Sequence, residues 1–161
     1  MKKSKSSFEY NDSYPTCQRT YVTLLIYLPD TQSPDTVTAR LGLKPSRTQV
    51  KGEMHGGRKK LWPNGWFLTS EGKVQSRDVR RHIDWLLEQL DHKMDNIQEL
   101  MHTGAEICIS CFWTSAKGHG GPMLDPRILK RLAETGLGLG FDIYFEGDED
   151  VPEGLRPLNP E

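Results

Sequence analysis

Residues 105–145 read AEICISCFWTSAKGHGGPMLDPRILKRLAETGLGLGFDIYF, and this stretch decides the fold. Ala105, Ile107, Ile109, Cys111 and Trp113 alternate with Glu106, Cys108, Ser110, Phe112 and Thr114. Side chains on a strand point to its two faces in turn, so a period of two predicts a strand. Gly118, His119, Gly120, Gly121 and Pro122 follow as a loop. Asp125-Pro126 then sets a side-chain acceptor at the N-cap and a proline at the first helical position. Gly136 is a natural C-cap, and Phe141–Phe145 alternates again as a second strand.

The same signals extend towards the N-terminus. Tyr21–Leu28 is a strand with both faces largely apolar, which places it centrally in a sheet. Ser33-Pro34-Asp35 opens a short helix with Val37 and Leu41 on its apolar edge, and Gly42 stops it. An extended segment runs from Leu43 through Arg47 to Glu53, and residues 54–60 read as a flexible basic loop. Trp62-Pro63-Asn64 forms a turn into a third strand, Gly65–Thr69. Val79, Ile83, Leu86, Leu87, Leu90, Met94, Ile97 and Leu100 make one apolar stripe, which predicts a single long helix from Ser76 to about Thr103, with a break near Asp91-His92 allowed but not required.

The element order is strand, helix, strand, strand, helix, strand, helix, strand. Its first six members follow the split βαβ, ferredoxin-like order. The expected fold is therefore α+β: a mainly antiparallel sheet, the long helix packed across one face, and an added C-terminal helix and strand. Residues 1–18 are rich in Lys, Ser, Asn and Asp and read as a disordered arm. Residues 19–146 form the folded domain, and residues 147–161 an acidic, proline-rich tail.

A chain of 161 residues with 35% hydrophobic and 27% charged residues suits one soluble domain. A net charge of −1 exerts no general pull on nucleic acid or anionic lipid. The most apolar run, Val22–Leu28, is far too short to span a bilayer, and no apolar stretch follows the lysine-rich start. A cytoplasmic location is expected. Cys17, Cys108 and Cys111 are too few for a disulfide framework. Cys108 and Cys111 lie three apart on a strand, so they point to opposite faces and cannot share a metal.

With the elements placed, the chain resembles a bacterial family known as domain-of-unknown-function family 4279. Four patterns carry the resemblance: Tyr21–Leu28 with Ser33-Pro34 and Arg40–Leu43; Lys44–Arg47 running to Lys51–Glu53; Trp66–Ser70; and Gly120-Gly121-Pro122 followed by Gly140–Tyr144. Together they span about residues 20 to 146. The resemblance implies a small α+β domain and supplies no chemistry, so no catalytic residue is carried over.

Two segments could contact a ligand. Arg47, Lys51, Arg58, Lys59 and Lys60 lead into Trp62 and Trp66. Cations can meet phosphates and tryptophan can stack on bases. The competing reading is a solvated loop beside a core tryptophan. Arg77, Arg80 and Arg81 oppose the dipole at the long helix's N-terminus, so local helix stability does not explain them, whereas a bound anion would. The second segment is the loop Ser115–Gly121, where glycine N–H groups and Lys117 could cradle an anion, although its order is not that of a P-loop. His55 and His119 sit in loops that could meet, but no His-Glu-x-x-His or Gly-x-Ser-x-Gly pattern is present.

The sequence therefore points to a non-enzymatic cytoplasmic domain that binds a protein partner, in an immunity-type or regulatory role, with no cofactor. The alternative is anion or nucleic-acid binding through Arg47, Arg58, Lys59, Lys60, Trp62, Arg77, Arg81, Lys117 and His119. A hydrolase or metal-dependent enzyme centred on His55 and His119 comes third.

Overall fold

The computed structural model describes residues 9–59 and 62–145. In chain order the elements are β1 (Cys17–Leu28), α1 (Pro34–Leu41), β2 (Arg47–Gln49), β3 (Met54–His55), β4 (Arg58–Lys59) and β5 (Asn64–Thr69). They continue as α2 (Val79–Gln89), α3 (Met94–His102), β6 (Glu106–Ser115), α4 (Pro126–Thr135) and β7 (Gly138–Tyr144). Five strands form one mixed sheet in the order β2-β5-β1-β6-β7. β1 pairs antiparallel with β5 and with β6, β2 antiparallel with β5, and β7 parallel with β6. The parallel pair is the strand–helix–strand unit legible in residues 105–145.

Strand alternation divides the sheet into two unlike faces. Val22, Leu24, Ile26 and Leu28 of β1 are buried, and Tyr21, Thr23, Leu25 and Tyr27 between them are half-buried. The buried set joins Trp66, Leu68, Ile107, Ile109 and Cys111 in one core with the helices. Ile83, Leu87, Leu90 and Ile97 belong to that core, as the helical stripe predicts. Trp66 is fully buried, and its indole N–H donates to Thr38 Oγ1 at 3.0 Å, which ties α1 to β5. Cys111 is buried on this face and Cys108 is partly exposed on the other, as their spacing requires.

Four sequence expectations need correction. The single helix from Ser76 to Thr103 is two helices, interrupted at His92, whose φ is 58°. The interruption falls on Asp91-His92-Lys93, which offers the core nothing apolar. It redirects α3 towards α1, where Arg40 Nη1 meets Glu99 at 3.1 Å and Asn96 Nδ2 donates to the Arg40 carbonyl at 2.9 Å. The loop expected at residues 54–60 contains the hairpin β3–β4, turned by Gly56 and Gly57 with positive φ. β7 begins at Gly138, three residues before the expected start.

The arm is the fourth correction. Residues 1–8 lie outside the described residues, as do residues 146–161 with the acidic tail. From Tyr10 onward the chain is held. Tyr10 donates its hydroxyl to Asp84 Oδ2 at 2.5 Å, and the Asn11 N–H donates to Asp78 Oδ2 at 2.7 Å. Composition gave no sign of this because the anchors are carboxylates of one helix, α2, more than sixty residues away. Among the described residues no helix is long and apolar enough to cross a membrane.

Leu87→Ala should destabilise the protein by roughly 2–5 kcal/mol, the range for truncating a buried leucine. Urea unfolding of wild type and variant measures it. An unchanged midpoint would show that this helix face does not carry the core.

Candidate binding face

The helix-free face is built by register. Thr23 pairs with Thr69, Leu25 with Phe67 and Tyr27 with Gly65 across β1 and β5. Tyr21 pairs with Phe112, Thr23 with Ser110 and Leu25 with Cys108 across β1 and β6. Gly138, Gly140, Asp142 and Tyr144 of β7 continue the same face. Aromatic rings therefore collect at its two ends, with small residues between them.

At one end Tyr21 and Phe112 stack with ring centres 4.6 Å apart, and Tyr144 lies 5.5 Å from Phe112. The Arg19 guanidinium sits 5.3 Å from the Tyr21 ring and also pairs with Glu71. At the other end the Phe67 ring meets Tyr27 edge-on at 5.5 Å, and the Arg47 guanidinium covers it at 4.4 Å. Phe67 is only 2% exposed although it lies outside the main core cluster, on the face away from the helices. Its ring lies over Gly65, where a Cβ would come within 2.5 Å of the ring. Glycine at position 65 is what lets the ring lie down.

A groove of about 670 Å³ opens beside this second cluster, walled by Tyr27, Arg47, Gln49, Trp62 and Glu106. Trp62 stands at the rim, 53% exposed. Gln49 Nε2 donates to the Pro63 carbonyl at 2.7 Å, and buried Asn64 bridges the Lys51 N–H to the Gln32 carbonyl. These bonds fix the rim to the sheet.

The predicted contact residues fall in separate places. Arg47 and Trp62 share the groove. Arg58 and Lys59 lie on the hairpin β3–β4, and Lys60 is outside the described residues, as is the His55 side chain. Arg77 lines a different cavity, with Arg19, Tyr21 and His82. Arg81 binds Asp12 through Nε at 2.7 Å and Nη2 at 2.9 Å. Arg80 binds the N-cap carboxylate Asp78 and also Asp125. The chain's own carboxylates thus supply the anion that these arginines demand.

Lys117 and His119 sit on a loop that the N-terminal segment clasps. The Ala116 N–H donates to the Thr16 carbonyl at 2.9 Å, and the Tyr14 hydroxyl to the Gly121 carbonyl at 3.2 Å. Gly120 has φ +97°, and a Cβ there would lie 2.6 Å from Thr16 Oγ1. Its glycine serves close approach of two chain segments.

Sequence reasoning missed a polar network beneath the helices. Asp84 is buried and accepts from Tyr10, Arg127 and Arg131. Burial raises the pKa of its carboxyl, but the bonds from Arg127 and Tyr10 outweigh that and hold it below the usual range. Burial and the same bond push the Tyr10 hydroxyl up to about 12. The signal was present in Arg127 and Arg131, a like-charged i, i+4 pair that needs a shared counter-charge. Nearby, the His82 Nε2–H donates to the Ser76 carbonyl at 2.9 Å, so Nδ1 accepts from Ser70 Oγ at 2.8 Å. Both side chains are buried, and Ser70 Oγ also accepts from the Val22 N–H. This serine and histidine pin β1 to α2. No group of three His, Cys, Asp or Glu among the described residues could hold a metal ion.

Residues 18–146 match the family described as Domain of unknown function (DUF4279). The chain belongs to this family. The DUF4279 match takes in the whole sheet except Cys17 at the start of β1, and with it both aromatic clusters and the groove. No curated protein and no solved structure matches the chain.

Burial lowers the pKa of His82 below its ordinary value near 6.5. The unfolded chain therefore takes up a proton at a pH where the folded chain does not. Stability from this site is complete above about pH 6.5 and falls as the pH drops below it. The melting temperature of wild type should decline between pH 6.5 and 5, and His82→Gln should remove that part of the decline. Parallel curves for the two proteins would show that His82 does not govern it.

Proposed function

We propose that this DUF4279 domain is a non-enzymatic binding module that holds a protein partner against the helix-free face of its sheet. The observation that supports it is the surface chemistry of that face. Tyr21, Tyr27, Phe112 and Tyr144, with Arg19 and Arg47 laid on aromatic rings, occupy a surface outside the core. None of its five strands contains a lysine. Tyrosine, tryptophan, phenylalanine and arginine are enriched at protein interfaces and lysine is depleted. The groove beside Trp62 suits an anchoring side chain from the partner. An immunity-type or regulatory role, in the cytoplasm of a bacterium, belongs to the same proposal.

The proposal includes the ferredoxin-like reading of the scaffold. Strands β2-β5-β1-β6, each antiparallel to its neighbour, support the split βαβ order, with α4 and β7 appended. Half-buried aromatics on the open face of such a sheet also favour a second reading, stacking of single-stranded nucleic acid. Charge ranks it lower. Glu106 and Asp142 lie on the same face, and Arg19 already pairs with Glu71.

The test is affinity capture from the source cells, followed by titration of the recovered partner against wild type, Tyr27→Ala, Arg47→Ala and Trp62→Ala. At moderate salt the variants should bind at least about tenfold more weakly, as truncation of aromatic and arginine anchors commonly does. Equal affinity for all four proteins would contradict the proposal. So would tight RNA or single-stranded DNA binding that weakens steeply with salt.

A further inference from the structure

The outer side of β7 is the second surface that stands out. No described strand pairs with it, although β7 is seven residues long. The opposite edge, β2, has three residues. Long exposed edges recruit other strands unless charges, proline or a bulge block them, and β7 contains no lysine or proline and a single charge, Asp142. Phe141 is 46% exposed, on the face that elsewhere packs against helices.

Helix α4 extends the apolar surface. Arg127 and Arg131 point to Asp84 on α2, towards the middle of the sheet. Leu129 and Ala133 follow each of these by two positions, more than half a turn of helix, so they face away from α2. Both are exposed, Leu129 by 50%. Leu129, Ala133 and Phe141 therefore line the same outer flank.

We infer that this flank joins two copies of the chain, with β7 pairing antiparallel to its counterpart about a two-fold axis at Phe141. The strand is self-complementary in that register. Phe141 meets its own copy. Leu139 falls opposite Ile143, so the helix-side positions are apolar against apolar. Gly140 falls opposite Asp142 and Gly138 opposite Tyr144, so on the other face each glycine receives a larger side chain. A shift of one residue would lose both matches. The two α4 helices then approach over the Phe141 pair through Leu129 and Ala133, and the two sheets become one of ten strands. This interface shares no residue with the groove and does not depend on the partner proposed above, although it would double the helix-free face.

Sedimentation equilibrium of the full chain over a concentration series tests it. Wild type should show a reversible species of twice 18.4 kDa. Phe141→Glu, which sets two like charges against each other at the axis, and Leu129→Glu should each weaken association at least about tenfold. Both positions are half-exposed, so circular dichroism should show folded variants. Register is read by oxidation. Phe141→Cys should form a covalent dimer readily, whereas Tyr144→Cys should not, because its copies would lie about 20 Å apart. A monomer up to about 1 mM would overturn the inference, since such weak association has no specific interface behind it. So would a dimer that neither charge variant weakens, or cross-linking through position 144 as fast as through position 141.

Discussion

One sheet covered by helices on one side only is the constraint on which the rest depends. β1 lies at its centre, paired on both edges. Its even-numbered side chains from Val22 to Leu28 are buried with those of the helices, and its odd-numbered ones from Tyr21 to Tyr27 are half-buried. Burial of apolar surface drives the first face together. The second face cannot be made wholly polar, because a central strand needs β-forming residues on both sides. The chain places tyrosine, threonine and phenylalanine there, with Arg19 and Arg47 as partial lids. The helix-covered face holds the fold, and the other lies outside the core cluster.

The helix layer needs its own fastening. Asp84 sits between α2 and α4 with Arg127 and Arg131, and the N-terminal segment adds Tyr10. Asp78 caps α2 and receives Arg80, which also reaches the α4 cap Asp125. Removing one partner from such a buried set leaves an uncompensated charge, so the network favours one arrangement of the helices over its alternatives. It also consumes most of the arginine charge near α2. Arg47 stands apart from this network, laid over Phe67 in the groove beside Trp62.

The parts that could be read from sequence were those governed by local chemistry. The alternation in Ile107–Trp113, the Asp125-Pro126 cap and the stripe from Val79 to Leu100 each follow from short-range rules, and the structure carries them. The sequence allowed a break near His92 without requiring one, because the apolar stripe continues across it and packing of α3 on α1 reveals the turn. Arg81 suggested a ligand because its counter-charge, Asp12, lies more than sixty residues away in a polar segment. Tyr21, Tyr27, Phe67 and Phe112 went unremarked as a surface, since only strand register shows that they share one face.

Cys108 reports directly on whether that face is open. It lies between Ile107 and Ile109 with its side chain on the helix-free side, opposite Leu25. Cys17 and Cys111 are buried, and burial pushes their thiols up to about 11 and about 12. The decisive measurement is thiol labelling of the native protein by a small reagent at mildly alkaline pH, with the modified site located by mass spectrometry. Cys108 should react while the protein is folded, and Cys17 and Cys111 only on unfolding. A Cys108 as inert as Cys111 would mean that the face is covered, and would contradict this.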